Sequence, residues 1–177
     1  MKDEKRRFGN SISSFILHPS SFPTLPQVKN QVTINAPFAT VWQLAQDVEK
    51  FPAIMPDLDS VQILEKSEPG AQTTRTVTQW SSRIKQFNRS IVWTEEDIWN
   101  AERGSCDFWQ IKGDFTEYKG AWQFRDLGNA TELDLSIDYA FDIPLVGALM
   151  KGVLQKLMQQ NVDMMSKALK TEAERRV

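Results

Sequence analysis

The chain has 177 residues, of which 41% are hydrophobic and 25% are charged, enough for one well-filled core and too few for two large ones. Its formal net charge is -2, so it lacks the positive field that phosphate backbones usually require, and we expect no nucleic-acid partner. Cys106 is the only cysteine and His18 the only histidine, which argues against disulfides, thiolate zinc clusters and histidine-dependent triads.

Residues 1–27 are predicted to form a disordered or poorly ordered N-terminal extension. They combine a charged start with a stretch rich in serine and proline, in which only Phe15 to Leu17 form an apolar run. That run is too short for a signal peptide, and no apolar segment approaches the roughly 20 residues that span a bilayer. We therefore expect a cytoplasmic protein without a transmembrane segment, folded over residues 28–177.

The folded part begins with a predicted strand from Val28 and a short helix from Pro37 to about Glu49. A second short turn is broken by Pro52 and Pro56. Beyond that turn the apolar period shortens to two, which predicts strands over about 58–63, 74–80, 84–99, 104–111, 115–125 and 131–142. Short turns separate them, one of them at Glu68-Pro69-Gly70, so we predict an antiparallel meander.

The predicted strands differ in how clearly their faces can be assigned. In the last one, apolar residues from Leu133 to Phe141 alternate with polar residues, so one face should meet the core. In the preceding strand Gly120 lies on the aromatic face, where its missing side chain either permits bending or leaves room. In the strand over 84–99 neither set of alternating residues is cleanly apolar, and its facing stays ambiguous.

A long amphipathic helix is predicted from Pro144 to Lys170. Its apolar residues recur at helical spacing, from Val146 through Val153, Leu154 and Leu157 to Ala168. At 1.5 Å per residue such a helix is about 40 Å long, enough to cross the whole domain. Burial of its apolar side chains strongly favours the folded state, so the helix is expected to lie across the sheet.

Several short motifs occur in the order found in one known family. They are Ala36-Pro37, Val41-Trp42, Asp47, Phe51-Pro52, Met55-Pro56 and Val61, followed by Gly113-Asp114-Phe115, Gly120, Trp122 and Phe124. Residues 28–170 thereby resemble the polyketide cyclase/dehydrase and coenzyme-Q-binding branch of the START-like (SRPBCC) superfamily. The resemblance implies an α+β helix-grip fold, in which a curved antiparallel sheet wraps around a long C-terminal helix, with two short helices after the first strand.

The resemblance also implies a pocket between the sheet and the C-terminal helix. The residues expected to line it are Trp80, Trp93, Tyr118, Trp122, Phe124, Tyr139 and Phe141, with Met150 and Leu154 as its lid. An apolar pocket with a few polar groups suits a flat hydrophobic ligand. The alternative is that these side chains simply fill the core, although the number of large aromatics and the gap expected at Gly120 favour a cavity.

Three consecutive carboxylates, Glu95-Glu96-Asp97, are the weak candidates for acid or base chemistry, with Tyr118. At least one of them must face inward if the strand is regular, and desolvation would raise its pKa toward neutrality. A solvated strand face is the favoured interpretation, so no catalytic residue is assigned. Tyr118 and Tyr139 could orient a ligand carbonyl or could point their hydroxyl groups to a partner at the rim.

Arg83, Lys85 and Arg89 around Phe87 form the most basic stretch, which a ribosome-binding or acidic-headgroup function would use. A solvated hairpin is the favoured interpretation.

Our leading hypothesis is a binding or carrier protein for a hydrophobic small molecule such as a lipid, a quinone or a polyketide. The alternatives are an aromatase/cyclase or dehydratase and a ribosome-associated module. We expect no cofactor or metal. The oligomeric state stays open, because the sequence shows neither a heptad seam nor an exposed apolar patch.

Overall fold

A computed structural model describes residues 25–85, 89–141 and 148–177, with only the backbone for 148–151. Residues 1–24 of the predicted N-terminal extension therefore lie outside the described residues. The elements are strand β1 (Gln27–Ile34), helix α1 (Phe38–Gln46), a 3₁₀ helix (Val48–Ala53), strands β2 (Leu58–Gly70), β3 (Thr73–Ile84), β4 (Arg89–Asn100), β5 (Ser105–Gly113), β6 (Glu117–Asp126) and β7 (Thr131–Ala140), and helix α2 (Ala148–Glu174).

The seven strands form one antiparallel sheet with the order β1-β7-β6-β5-β4-β3-β2. Strands β2 to β7 follow one another as a meander, and β1 pairs with the free edge of β7. The predicted α+β architecture is therefore confirmed, including the two short helical elements after the first strand.

Two differences from the predicted strands affect the turns between β2, β3 and β4. The turn expected at Glu68-Pro69-Gly70 is wrong, because β2 continues through Gly70 and the turn follows at residues 71–72. Pro69 is tolerated because β2 is an edge strand and its register shifts between Ser67 and Gly70, so the missing N–H breaks no regular ladder. Ile84 belongs to β3, where it pairs with Arg89, rather than to the strand that follows.

Helix α2 packs against β1, β7 and α1. Its buried side chains recur every three or four residues and are Leu154, Met158, Val162, Ser166, Leu169 and Ala173. The predicted stripe is therefore rotated by about one residue, since Val153 is 37% exposed. The helix also ends later than predicted, where Lys170 Nζ donates to Thr33 O at 2.5 Å and Asn35 N donates to Glu174 Oε1 at 2.7 Å.

The core beneath α1 is packed with aromatic rings. Trp42 meets Trp99 and Phe124 edge-on at centroid distances of 5.5 and 5.3 Å. The gap expected at Gly120 is absent, because a Cβ there would lie 2.4 Å from Cζ of Phe108, whose ring occupies the space. Gly120 therefore does not open a cavity under the sheet.

Candidate functional site

A cavity of about 340 Å³ lies between the sheet and α2. The strands supply much of its wall through Trp80, Ile84, Ile91, Trp93, Tyr118 and Ile137. Helix α2 covers the opposite side through Leu154, Leu157, Met158, Val162, Met164 and Met165. The helix therefore closes an apolar space that the sheet leaves open.

Flat aromatic rings dominate one wall of this cavity. Trp80 on β3 and Trp93 on β4 are cross-strand partners, and their indoles stack at 5.8 Å with an interplanar angle of 7°. The Trp93 ring contacts Tyr118 at 5.7 Å, and Phe115 lies 4.7 Å from Tyr118. Such a surface offers broad dispersion contacts to a planar apolar molecule.

The rim of the cavity is polar. Lys85 Nζ pairs with Asp57 Oδ1 at 2.6 Å, and Arg83 Nε pairs with Asp59 Oδ2 at 3.5 Å. The side chains of Lys85 and Arg83 are 63% and 54% exposed, as the predicted solvated hairpin requires. Phe87, at the centre of that basic stretch, lies outside the described residues.

A smaller chamber of about 20 Å³ adjoins the cavity and shares Trp80, Trp93, Tyr118, Ile137 and Met165 with it. Its polar lining consists of Glu95 and Asp97. A volume of this size holds about one water molecule or one oxygen atom of a ligand. The chamber is thus a polar inner end to an apolar space.

The facing of β4 decides which carboxyl groups reach this chamber. Glu95 and Asp97 are 5% and 6% exposed, whereas Glu96 lies on the opposite face and pairs with Arg75. The predicted solvated strand face is therefore wrong for Glu95 and Asp97. Because alternate residues of a strand share one face, Trp93 and Trp99 lie on the same buried face as these two carboxyl groups. The inner face of β4 thus combines two acidic and two indole side chains.

Burial is the main cause that raises the pKa of Glu95 well above its ordinary value, and the negative charge of Asp97 adds to it. Trp93 Nε1 donates to Glu95 Oε2 at 2.9 Å and lowers that pKa in part. Burial also raises the pKa of Asp97 to about 6, although hydroxyl donation from Thr78 and Thr76, at 2.9 and 3.0 Å, opposes the shift. Asp97, which has these donors, is the better site for the negative charge, and Glu95 for the proton.

Two further groups nearby are held neutral. Burial raises the pKa of the Tyr118 phenol well above its ordinary value, so its hydroxyl keeps its proton. Burial likewise raises the pKa of the Cys106 thiol, which removes the thiolate that a nucleophile needs. Cys106 is fully buried and packs as a small apolar residue.

Residues 34–166 match the family of polyketide cyclase / dehydrase and lipid transport proteins. The chain belongs to this family. Its seven-stranded antiparallel sheet and long C-terminal helix are those of the START-like helix-grip fold, as the resemblance implied.

Relatives of this polyketide cyclase/dehydrase family member carry different functions. The chain is 28% identical over 141 residues to a ribosome association toxin of Pseudomonas aeruginosa, covering 78% of this chain and 88% of the relative. It is 27% identical over 122 residues to an actinorhodin polyketide synthase bifunctional cyclase/dehydratase of Streptomyces coelicolor, covering 68% of this chain and 36% of that protein. The crystal structure of TTHA0849 from Thermus thermophilus superposes with a TM-score of 0.74 at 31% identity, covering 84% and 97% of the two chains.

The predicted pocket residues of this family member do not all lie at the cavity. Trp80, Trp93, Tyr118 and Leu154 line the large cavity, and Trp122 borders the small chamber. Phe124 packs into the aromatic core beneath α1, Tyr139 is 2% exposed on β7, and Phe141 packs on Phe115 and under Arg89. The side chain of Met150 lies outside the described residues.

Sequence reasoning missed several lining residues, among them Ile91, Phe115 and Ile137. The alternation of β7 already placed Ile137 on the apolar face, so its inward direction was available from the pattern. Its position at the cavity depends on cross-strand register, which the pattern does not contain.

No three His, Cys, Asp or Glu side chains in the described ranges are arranged to hold a metal ion. None of the helices described is long and apolar enough to cross a bilayer.

Proposed function

We propose that this protein binds and carries a flat hydrophobic small molecule, of lipid, quinone or polyketide type, between the sheet and α2. The observation that carries the proposal is the cavity of about 340 Å³ with stacked indoles on one wall and leucine and methionine side chains on the other. Ligand sites are typically apolar clefts of about 300–1,000 Å³ with a few convergent polar groups. Met158, Met164 and Met165 provide unbranched side chains that adapt to more than one ligand shape.

Fluorescence titration with prodan, an uncharged naphthalene ketone dye, tests the proposal. When the dye binds wild-type protein, its emission should shift to the blue. The bound dye should also quench the tryptophan fluorescence of the protein. Leu157→Trp should weaken binding at least about tenfold, because the larger side chain fills the cavity. Val153→Trp is the matched control, since Val153 is exposed on the same helix.

Unchanged affinity in Leu157→Trp, or equal loss in Val153→Trp, would contradict binding in this cavity. Organic extraction of the protein purified from its native cells, followed by mass spectrometry, would identify the natural ligand. Recovery of no apolar molecule from that extract, together with no prodan binding, would overturn the proposal.

A cyclase or dehydratase is the second candidate function, and the buried Glu95 favours it. A buried carboxyl group whose pKa is raised well above its ordinary value, beside a substrate cavity, can act as a general acid. Tyr118 borders the same chamber and could hydrogen-bond a carbonyl oxygen of a polyketide-like chain. Turnover of a poly-β-keto thioester that Glu95→Gln abolishes, with ligand affinity retained, would support this candidate over a carrier.

A further inference from the structure

The inner end of the cavity contains a hydrogen-bond donor that has no acceptor. Nε1 of Trp80 is buried and makes no hydrogen bond to any of the described residues, and the side chain is only 4% exposed. Native proteins rarely leave such a donor unsatisfied, so a water molecule or a ligand atom is expected beside it. The same ring borders both the large cavity and the small chamber.

The position of this N–H is fixed by the stack of Trp80 on Trp93. Trp93 uses its own Nε1 to donate to Glu95, whereas the Trp80 N–H lies near that carboxyl group and lowers its pKa without forming a hydrogen bond of normal geometry. Both indole N–H groups therefore face the acid pair. Of these two N–H groups, only that of Trp80 has no acceptor among the described residues, so it can donate to a ligand.

The charge of the chamber limits what this acceptor can be. Asp97 accepts from Thr76 and Thr78 and is the better site for the negative charge of the pair. A carboxylate or phosphate entering the chamber would meet that charge in a space from which water is largely excluded, which is strongly unfavourable. An uncharged carbonyl oxygen carries only a partial negative charge, so the repulsion that it meets is much weaker. The chamber volume of about 20 Å³ also fits a single oxygen atom rather than a larger head group.

We propose that the inner chamber recognises an uncharged carbonyl oxygen of the ligand, as in a ketone or quinone, through the Trp80 indole N–H beside the Glu95–Asp97 pair. The proposal rests on the proposed binding function and names the ligand class for that site. The carbonyl takes the place of a chamber water and accepts the hydrogen bond that the water would accept. The remainder of the ligand lies against the Trp93 and Tyr118 rings in the large cavity.

A matched pair of ligands tests the proposal. Acetylnaphthalene and isopropenylnaphthalene, substituted at the same ring position, have nearly the same shape, because a C=CH2 group replaces the C=O group, but only the first has a carbonyl oxygen. We expect wild-type protein to bind the ketone about two- to tenfold more tightly, the range that one hydrogen bond typically supplies. Trp80→Phe should reduce this ratio to about one, because both ligands lose the same ring contact but only the ketone also loses a hydrogen bond. Trp109→Phe, at an exposed tryptophan, should leave the ratio unchanged.

A charged analogue tests the role of the acid pair. Naphthoate should bind wild-type protein more weakly than acetylnaphthalene at neutral pH, and Asp97→Asn should narrow that difference. Circular dichroism and thermal melting establish that each variant is folded. Should Trp80→Phe not fold, the carbonyl stretch of bound, carbon-13-labelled acetylnaphthalene still shows whether the oxygen accepts a hydrogen bond, which shifts the stretch to lower frequency. That shift should persist in Tyr118→Phe, which removes the other neutral donor at the chamber.

The outcomes separate this inference from the binding function. If both naphthalenes bind wild-type protein equally, or if the carbonyl stretch is unshifted, the cavity binds apolar ligands but the carbonyl inference is wrong. If the ratio survives Trp80→Phe, the donor is not Trp80 and the inference is also overturned. If neither naphthalene binds, the proposed binding function itself fails.

Discussion

Glu95 and Asp97 are two buried carboxyl groups whose pKa values are both raised in the folded protein, chiefly by desolvation. The folded state therefore holds their protons more tightly than the unfolded chain does. Their favourable contribution to folding is fully present below the unfolded pKa values and is lost as pH rises through the folded values. Glu96, on the opposite face, adds to the raised pKa of Asp97. The charges of the pair in turn help to raise the pKa values of Tyr118 on β6 and Cys106 on β5.

We expect Asp97→Asn to become more stable relative to wild type as pH rises from about 4 to about 7, because the variant has no carboxylate to desolvate. Urea unfolding of both proteins across this range gives the difference in free energy of unfolding. Asp107→Asn is the control, since Asp107 lies at an exposed position of β5. A difference that does not change with pH, or that changes in the opposite direction, would contradict the assigned protonation.

Gly120 and Gly152 should respond oppositely to alanine. A Cβ on Gly120 would lie 2.2 Å from the backbone oxygen of Ser136, so the strand would have to move, and we expect Gly120→Ala to cost at least about 2 kcal/mol. Nothing lies within 4 Å of a Cβ on Gly152 in α2, and Gly152→Ala should stabilise the protein by about 0.5–1 kcal/mol. Urea unfolding measures both, and equal effects would show that Phe108 is not packed over Gly120.

At the scale of the element, α2 performs two tasks along its length. Leu154, Leu157 and Met158 cover the cavity, whereas Leu169 and Ala173 are fully buried in the packed core. The C-terminal part is also joined to β1 and the residue after it, through Lys170 and Glu174. The helix is thus anchored at one end and covers a space with the other.

This division predicts unequal effects of truncating leucine within one helix. Leu169→Ala should cost about 2–5 kcal/mol, because that side chain is only 1% exposed and its loss removes buried apolar contacts. Leu157→Ala should cost clearly less, since that side chain is half-buried and already borders a cavity, and it should alter prodan affinity instead. Chemical denaturation and dye titration of both variants provide the test. A larger stability loss in Leu157→Ala would mean that the cavity is not open in solution.

The elements of this fold were predictable from periodicity because strands and helices are local patterns. The alternation of β7 from Leu133 to Tyr139 and the helical spacing of α2 are examples. The facing of β4 was not, because its inward residues include Glu95 and Asp97, which break the apolar pattern. The division of the aromatics between cavity and core was also hidden, since it depends on which rings meet across strands. Trp93 meets Trp80 at the cavity, while Trp99 meets Trp42 beneath α1.

At the scale of the whole molecule, the fold separates a packed aromatic core from an open cavity. The core beneath α1 contains Trp42, Trp99, Trp122 and Phe124 in direct contact. The cavity lies between β3, β4 and the first part of α2, where large rings form a wall without filling the space beside it. Ligand binding then replaces the missing contacts, so the occupied protein should be more stable than the empty one.

A ligand that binds only the folded state stabilises it by about 2.7 kcal/mol at a hundredfold excess over Kd. For a chain of this size, that should raise the Tm by several degrees. We expect prodan to produce such a shift in wild-type protein and in Val153→Trp, and little or none in Leu157→Trp, whose side chain occupies the same space. Differential scanning calorimetry at increasing dye concentration measures it. A Tm independent of dye concentration, despite a fluorescence change, would place the dye on the surface or on the unfolded chain rather than under α2.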